Sequence, residues 1–211
     1  MKCYLLFLVF LGSFMPAFSV PVDSLFMRAP NDVLPLLSRE AREDLLRSDV
    51  RGRKGLDTRG TDTPCVISRT DDCLRVRLSP RVDMAFVALL VDGRPMCATL
   101  QTLYLPAADT EVRLWDADWN EAAVRLPHLE FEDFLVSTDS LSVFGKDELR
   151  AMLRPHHVAW EWHQETSEFF ATLSLEALPD FERLRWQKHL RPRSFSPSEL
   201  FKSLPEGIKT P

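Results

Sequence analysis

Three histidines and a glutamate near residue 160 form the pattern best suited to chemistry. His157, Glu161 and His163 project from one face of a predicted strand, and His156 precedes it. Imidazole and carboxylate groups serve as zinc ligands and as general bases. Along a flat strand, however, these positions lie about 7 to 13 Å apart, whereas zinc donors converge at about 2 Å. The spacing therefore favours a solvated strand face over a metal site.

Other potential catalytic side chains lack the partners that catalysis requires. No G-x-S-x-G segment, Walker loop, dinucleotide fingerprint or calcium loop is present. Cys97 falls in the middle of a predicted strand, where apolar surroundings disfavour a thiolate. Pairs of acids, which are common on turns and surfaces, occur at Asp71/Asp72, Asp116/Asp118 and Glu130/Glu132/Asp133. We predict no catalytic, cofactor-binding or metal-binding residue and no cofactor, and enzymatic activity is not favoured.

Five tryptophans raise the question of an aromatic binding platform. Aromatic faces stack on ligands, but core packing is the commoner role of tryptophan. Trp160 and Trp162 share the apolar side of their strand with Val158, which indicates core packing. Trp115 shares a strand face with Arg113, so its exposure is the one to check.

The N-terminal segment has the pattern of a secretory signal. Lys2 precedes an apolar stretch over residues 4–15, and Pro16 follows it. Ala17 and Ser19 are the small residues that a signal peptidase requires before Val20. The stretch is shorter than the roughly 20 apolar residues that a membrane anchor needs. We expect cleavage before Val20, export to the periplasm or cell surface, and no membrane span afterwards.

Charge and cysteine content narrow the functional classes. The 211 residues carry 26 basic and 31 acidic side chains, and removal of residues 1–19 takes one lysine and no acid, which leaves a charge of about −6. This balance opposes nucleic-acid binding. Of the three cysteines left, Cys65 and Cys73 flank a predicted hairpin turn, a placement compatible with a short disulfide. The alternative, which we prefer, is that Cys65, Cys73 and Cys97 act as small hydrophobic residues.

The apolar pattern predicts an α+β fold with an extended, curved antiparallel sheet. Two short helices are expected over 23–49, with Ser38 as a helix cap, and an exposed loop over 50–64. From Cys65 the period changes to two, and four or five strands follow one another by short turns, one of them at Asp92-Gly93. This order is typical of a meander.

The second half predicts further short helices and two more strands. Helices are expected over 146–153 and 180–190, and strands over 157–163 and 169–175. The proline-rich stretch 191–211 is expected to be loosely ordered. The predicted organisation is a signal peptide over 1–19, one domain over 20–190 and this tail.

Three segments resemble an exported family of unknown function from Bacteroidales. They are Met27-Arg-Ala-Pro-Asn-Asp-Val-Leu-Pro-Leu-Leu-Ser38, Thr70-Asp-Asp-Cys-Leu74 and Asp116-Ala-Asp-Trp-Asn120. The resemblance covers about residues 20–175. It implies export and an α+β fold with an extended antiparallel sheet, and it transfers no site residue. Cys73, where that pattern has an aromatic residue, and the stretch after Leu190 depart from it.

Three functional hypotheses follow. The first is an exported, non-enzymatic binding or accessory protein that offers a concave apolar sheet face to a lipid, peptide or protein partner. The second is an extracytoplasmic hydrolase that uses His157, Glu161 or His163 with acids from elsewhere, which requires these groups to share a cleft. The third is a structural surface component with exposed strand edges.

Overall fold

The computed structural model describes residues 20–47, 63–137 and 141–203. The predicted signal peptide and most of the predicted loop over 50–64 lie outside the described residues.

Two short helices open the described chain, as the sequence predicts. They are α1 (Val22–Arg28) and α2 (Arg39–Arg47). The backbone N–H of Ala41 donates to Ser38 Oγ at 3.3 Å, so Ser38 caps α2. The Arg42 guanidinium is buried and donates to the carbonyl oxygens of Ala29 and Leu37. Arg42 therefore fixes the turn between the two helices.

Five antiparallel strands follow as a meander, in the order in which they occur in the chain. The strands are β1 (Cys65–Arg69), β2 (Cys73–Ser79), β3 (Val82–Val91), β4 (Arg94–Tyr104) and β5 (Ala108–Trp115). The turn between β3 and β4 has Asp92 and Gly93 at φ of 51° and 74°, which is the conformation favoured by an Asp-Gly hairpin. The predicted α+β class with an extended antiparallel sheet is confirmed.

The rest of the chain adds a second sheet and short helices. A three-stranded antiparallel sheet contains β7 (Val158–His163), β8 (Glu168–Leu173) and β9 (Arg193–Phe195). A two-stranded ladder joins β6 (Val124–Arg125) to β10 (Lys202–Ser203). The helices are α3 (Val143–Met152), α4 (Asp180–Trp186) and α5 (Pro197–Leu200), with 3₁₀ turns over Phe131–Phe134 and Gln187–His189.

The segment after residue 190 differs from the expected loose tail. Its β9 pairs with β8, and Leu200 and Phe201 are buried in the core. Ser196 and Glu199 form a reciprocal capping box at the start of α5, with Pro197 at its first turn. Local capping and long-range burial thus order residues 191–203. Residues 204–211 lie outside the described residues.

Both faces of the five-stranded sheet are covered. On one face, Leu74, Val76 and Phe86 pack against α1 and the turn that follows it. On the other, Val87 and Leu100 belong to a core shared with the second sheet and the later helices. The sheet is therefore the middle layer of the described structure.

A buried ladder of polar side chains runs across the sheet towards β7. Arg77 lies opposite Asp83, Asp83 opposite Thr102, and Thr102 opposite Thr110. Arg77 Nε donates to Asp83 Oδ1 at 2.7 Å, and the hydroxyls of Thr102 and Thr110 are 2.9 Å apart. Thr110 Oγ1 then accepts the backbone N–H of Trp160 at 3.1 Å. Through this contact, side chains of the first sheet satisfy backbone groups at the edge of the second.

Asp83 is the charged centre of this ladder. Its carboxylate also accepts hydrogen bonds from Arg75 at 3.2 Å and from the Tyr104 hydroxyl at 3.0 Å. Burial, and then the charge of Asp83, raises the pKa of Tyr104, so its hydroxyl keeps the proton that it donates. Asp83 is 2% exposed, so water cannot take its place as the hydrogen-bond partner of the two arginines.

We predict that Asp83→Ala lowers the free energy of unfolding by about 3–5 kcal/mol, because it leaves Arg77 and Arg75 without their buried carboxylate partner. Urea denaturation measures the loss. The matched control is Asp44→Ala, which removes an exposed acid paired with Arg47 on α2 and is expected to cost less than about 0.5 kcal/mol. Equal losses in both variants would contradict the structural role of Asp83.

Candidate functional site

The histidines and glutamate of β7 do not converge on one point. His157 Nδ1 lies 3.4 Å from Asp109 Oδ2, whereas His163 Nε2 lies 3.9 Å from Glu161 Oε2. Glu161 also approaches the Arg75 guanidinium at 3.7 Å. Among the residues that the structure describes, no group of three His, Cys, Asp or Glu side chains has the arrangement of a metal site.

A small pocket lies between β7 and the first sheet. Its volume is about 120 Å³, and Glu161 lines it, while His157 and His163 are not among its lining residues. The other two charged residues that line it, Arg75 and Asp83, are already paired with each other, and Glu161 is paired with Arg75. Ligand pockets usually measure about 300–1,000 Å³. The shared cleft that a hydrolase using these β7 residues requires is therefore not formed here.

The three described cysteines are all free thiols. Cys65 lies opposite Arg77 on β2, so the register keeps it away from Cys73 at the other end of that strand. The disulfide considered above is not formed, and the preferred alternative of small hydrophobic residues is supported. Burial raises the pKa of the Cys73 and Cys97 thiols to about 12, which leaves both poor nucleophiles.

The tryptophans pack mostly into the interior. Trp115, whose exposure the sequence left open, is 6% exposed and donates from Nε1 to Thr99 Oγ1 at 2.9 Å. Trp119 lies against it, with ring centroids 5.7 Å apart. Trp160 and Trp186 are also buried, and Trp162 is half-buried with Nε1 bonded to Asp72. These contacts do not form an exposed aromatic platform.

The expected concave apolar face of the sheet is filled. Phe26 and Leu34 cover one side, and Phe134 and Phe169 belong to the core on the other. The part of the helix-covered face that stays accessible is a polar pocket of about 150 Å³, whose lining includes Asp32, Gln101, Glu111 and Arg113. A ligand site on an apolar sheet face is therefore not supported.

A larger cleft lies where β3, β4 and β5 end. Its volume is about 610 Å³. Its apolar lining comes from four separate parts of the chain and includes Met96, Leu114, Val124 and Phe201. Its charged lining consists of Asp92, Arg94, Asp116 and Asp118. The arrangement combines an apolar floor with a predominantly acidic rim.

The loop after β5 forms one wall of this cleft and is held in place by its own side chains. Asp116 Oδ1 accepts the backbone N–H groups of Asp118 at 2.8 Å and Asn120 at 2.9 Å, and Asp116 Oδ2 accepts Asn120 Nδ2 at 2.9 Å. The hydrogen bonds from Asn120, first from its side chain, lower the pKa of Asp116 and keep it ionised. Arg28 of α1 donates to the Ala117 carbonyl oxygen at 2.7 Å.

The sequence analysis named three acidic residues of this cleft but did not predict the cleft. It treated Asp116 and Asp118 as a surface pair and Asp92 as part of a turn. The floor was missed because Leu114 and Phe201 lie far apart in the chain and meet only in the folded structure. The Asp92-Gly93 pattern predicted the position of the hairpin turn, but it did not predict which residues lie opposite that turn.

No helix within the described residues is long and apolar enough to cross a bilayer.

Comparisons with known proteins place the chain in an uncharacterised group. A solved structure described as a domain of an uncharacterized protein from Porphyromonas gingivalis W83 is similar, with a TM-score of 0.62, 19% sequence identity, and coverage of 85% of this chain and 95% of that one. At this identity the likeness concerns the fold alone. No curated protein matches the chain. A family model described as protein of unknown function DUF3256 matches residues 15–199. The chain belongs to the DUF3256 family.

Proposed function

We propose that the chain is an exported, non-enzymatic binding protein, and that the cleft at the ends of β3, β4 and β5, called here the hairpin-end cleft, holds a positively charged, amphipathic peptide segment. The observation that carries the proposal is the cleft itself. At about 610 Å³ it falls within the usual range of ligand sites, and the inter-sheet pocket does not.

The cleft lining defines the chemistry of the ligand. Buried Leu114 and Phe201 give it an apolar floor, which suits aliphatic or aromatic side chains. Among the described residues, three carboxylates and one cation, Arg94, line the rim, and Arg28 lies beside it, 3.8 Å from Asp118, so the net charge of these groups is negative. A ligand with an apolar part and a lysine or arginine side chain complements both features.

Two of the rim carboxylates are accessible to such a ligand. Asp92 is exposed at the hairpin turn. The Asp118 side chain is 85% exposed, and its ion pair with Arg28 is long, at 3.8 Å. Exposed pairs of this kind contribute little, so a ligand cation can compete for Asp118.

Export is supported by the sequence pattern and by the position of the first helix. The α1 helix begins at Val22, which is the third residue of the chain after the proposed cleavage. The Val22 side chain is buried in the core. Cleavage before Val20 would keep Val22 and the whole of α1 in the mature chain.

The ligand class is tested with two short probe peptides, acetyl-Leu-Lys-Leu-amide and acetyl-Leu-Glu-Leu-amide. NMR titration should give saturable shifts at the amides of residues 91–94, 96 and 116–118 with the lysine peptide, and weaker effects with the glutamate peptide. The double variant Asp92→Asn/Asp118→Asn should weaken binding of the lysine peptide about threefold to tenfold, because each exposed ion pair contributes less than about 1 kcal/mol.

The matched control is Asp44→Asn, which removes an equivalent charge from α2 and should leave peptide binding unchanged. Equal binding of both peptides, or shifts that map away from the cleft, would refute the assignment.

Export is tested by expression of the full chain in a Gram-negative bacterium. We expect a protein in the extracytoplasmic fraction whose N-terminal sequence is Val20-Pro21-Val22. Ser19→Leu should block processing, because the residue before the cleaved bond must be small, whereas Phe18→Leu at the tolerant middle position should not. Cytosolic protein that retains Met1 would overturn the export proposal.

The absence of a thiol nucleophile is tested by alkylation with iodoacetamide at pH 8. Because the pKa of Cys73 and Cys97 is about 12, only about one thiol in ten thousand is ionised at that pH, and native protein should react slowly. Unfolded protein should react fast. The folded variant Thr172→Cys, which places a thiol at an exposed position, should also react fast. Rapid labelling of Cys73 or Cys97 in native protein would reopen an enzymatic role.

A further inference from the structure

The α3 helix is anchored on one side and apolar on another. Leu149 is completely buried in the core. Val143 and Phe144, in the first turn, are 77% and 82% exposed. Exposure of an aromatic ring to this extent is unfavourable in solvation free energy, and no contact within the described chain offsets that cost.

The α4 helix repeats the same arrangement. Trp186 is its buried anchor, while Phe181 and Leu184 are 69% and 66% exposed. The spacing is identical in the two helices, because each has an exposed phenylalanine five residues before its buried anchor.

An ion pair joins the two exposed faces. Glu148 of α3 contacts Arg185 of α4, with distances of 3.2 Å and 3.3 Å from its two carboxylate oxygens. Glu148 follows Phe144 by four residues, and Arg185 follows Phe181 by four, so each ring lies one helical turn from the pair. The ion pair therefore places the exposed apolar residues of the two helices on the same part of the surface, and Val143, Phe144, Phe181 and Leu184 are together called here the helix face.

The size of the helix face is that of a protein interface. The exposed fractions of its four side chains amount to roughly 500 Å² of apolar surface. A stable dimer buries about 800 Å² on each partner, of which about 60% is apolar. The helix face supplies that apolar share.

The charge of the helix face indicates which partner fits. Each helix has two acids and two bases, so both are neutral in a chain of net charge −5. These charged residues are Lys146, Asp147, Glu148 and Arg150 on α3, and Asp180, Glu182, Arg183 and Arg185 on α4. A helix that lies on an anionic membrane needs an excess of lysine and arginine, which is absent from both. A second copy of the chain can approach at a neutral surface without like-charge repulsion.

We infer that the helix face is the interface between two copies of this chain, which associate as a symmetric dimer. In such a dimer the same patch lies on both sides of the two-fold axis, so Phe144 and Phe181 of each copy are buried by the other. The hairpin-end cleft uses none of these four residues, and the dimer is independent of the ligand proposal.

Sedimentation velocity of the purified exported protein over a wide concentration range tests the dimer. We expect a dimer for the unchanged protein and about a hundredfold larger dissociation constant for the double variant Phe144→Ser/Phe181→Ser, because buried aromatic residues dominate interface affinity. The control Leu36→Ser changes a side chain that is 76% exposed in the turn between α1 and α2, and it should remain dimeric. Unchanged circular dichroism of the double variant would confirm that it folds.

Hydrogen exchange gives a second measurement on the unchanged protein. Amides of α3 and α4 should become more protected as the protein concentration rises. A monomer at all concentrations would overturn the inference, and so would a dimer that persists in the double variant. A monomer that sediments with phosphatidylglycerol vesicles would assign the helix face to a membrane instead.

Discussion

The five-stranded sheet carries apolar side chains on both faces, and each face must be covered if the sheet is to be stable in water. The cover comes from two parts of the chain, with α1 and its following turn on one side and the second sheet on the other. Phe86 and Val87 are neighbours in the sequence, are completely buried, and belong to different cores. The other described elements therefore lie around a sheet whose two faces are both covered.

The polar ladder makes the second cover possible. Where the apolar part of the sheet face ends, Asp83 forms ion pairs with the buried Arg77 and with the half-buried Arg75. Thr110 at the end of the ladder satisfies a backbone donor of β7, which lies beside β5 without ordinary strand pairing. An edge strand in that position would otherwise leave buried donors without partners. The ladder is thus a junction between the sheets as well as a source of stability.

Because both faces of the sheet are covered, the proposed ligand site lies at its rim. Strand ends and hairpin turns stay accessible when both faces of a sheet are covered. The hairpin-end cleft forms at such a place, where β3 and β5 end and β4 begins. Its walls are held by Asp116 and by Arg28, so its shape is set by the fold before any ligand arrives. The outer surfaces of α3 and α4 form another accessible apolar region of the described chain, and they arise because each short helix uses a single large residue to reach the core.

Local patterns determined the fold class of this protein. The period of two from Cys65, the Asp92-Gly93 turn and the cap at Ser38 each act within a few residues, so the α1 and α2 helices and the meander could be predicted from the chain alone. The cap at Ser196 is also a local feature, but the burial of Phe201 depends on distant residues. The sequence analysis therefore expected this segment to be loose. Which layer covers which face, and therefore where a cleft remains, depends on contacts between distant residues, such as those of α5 with β3, which are more than a hundred positions apart. Only the tertiary structure decided these, because the free energy of burial depends on which surfaces meet and not on the order of residues that supply them.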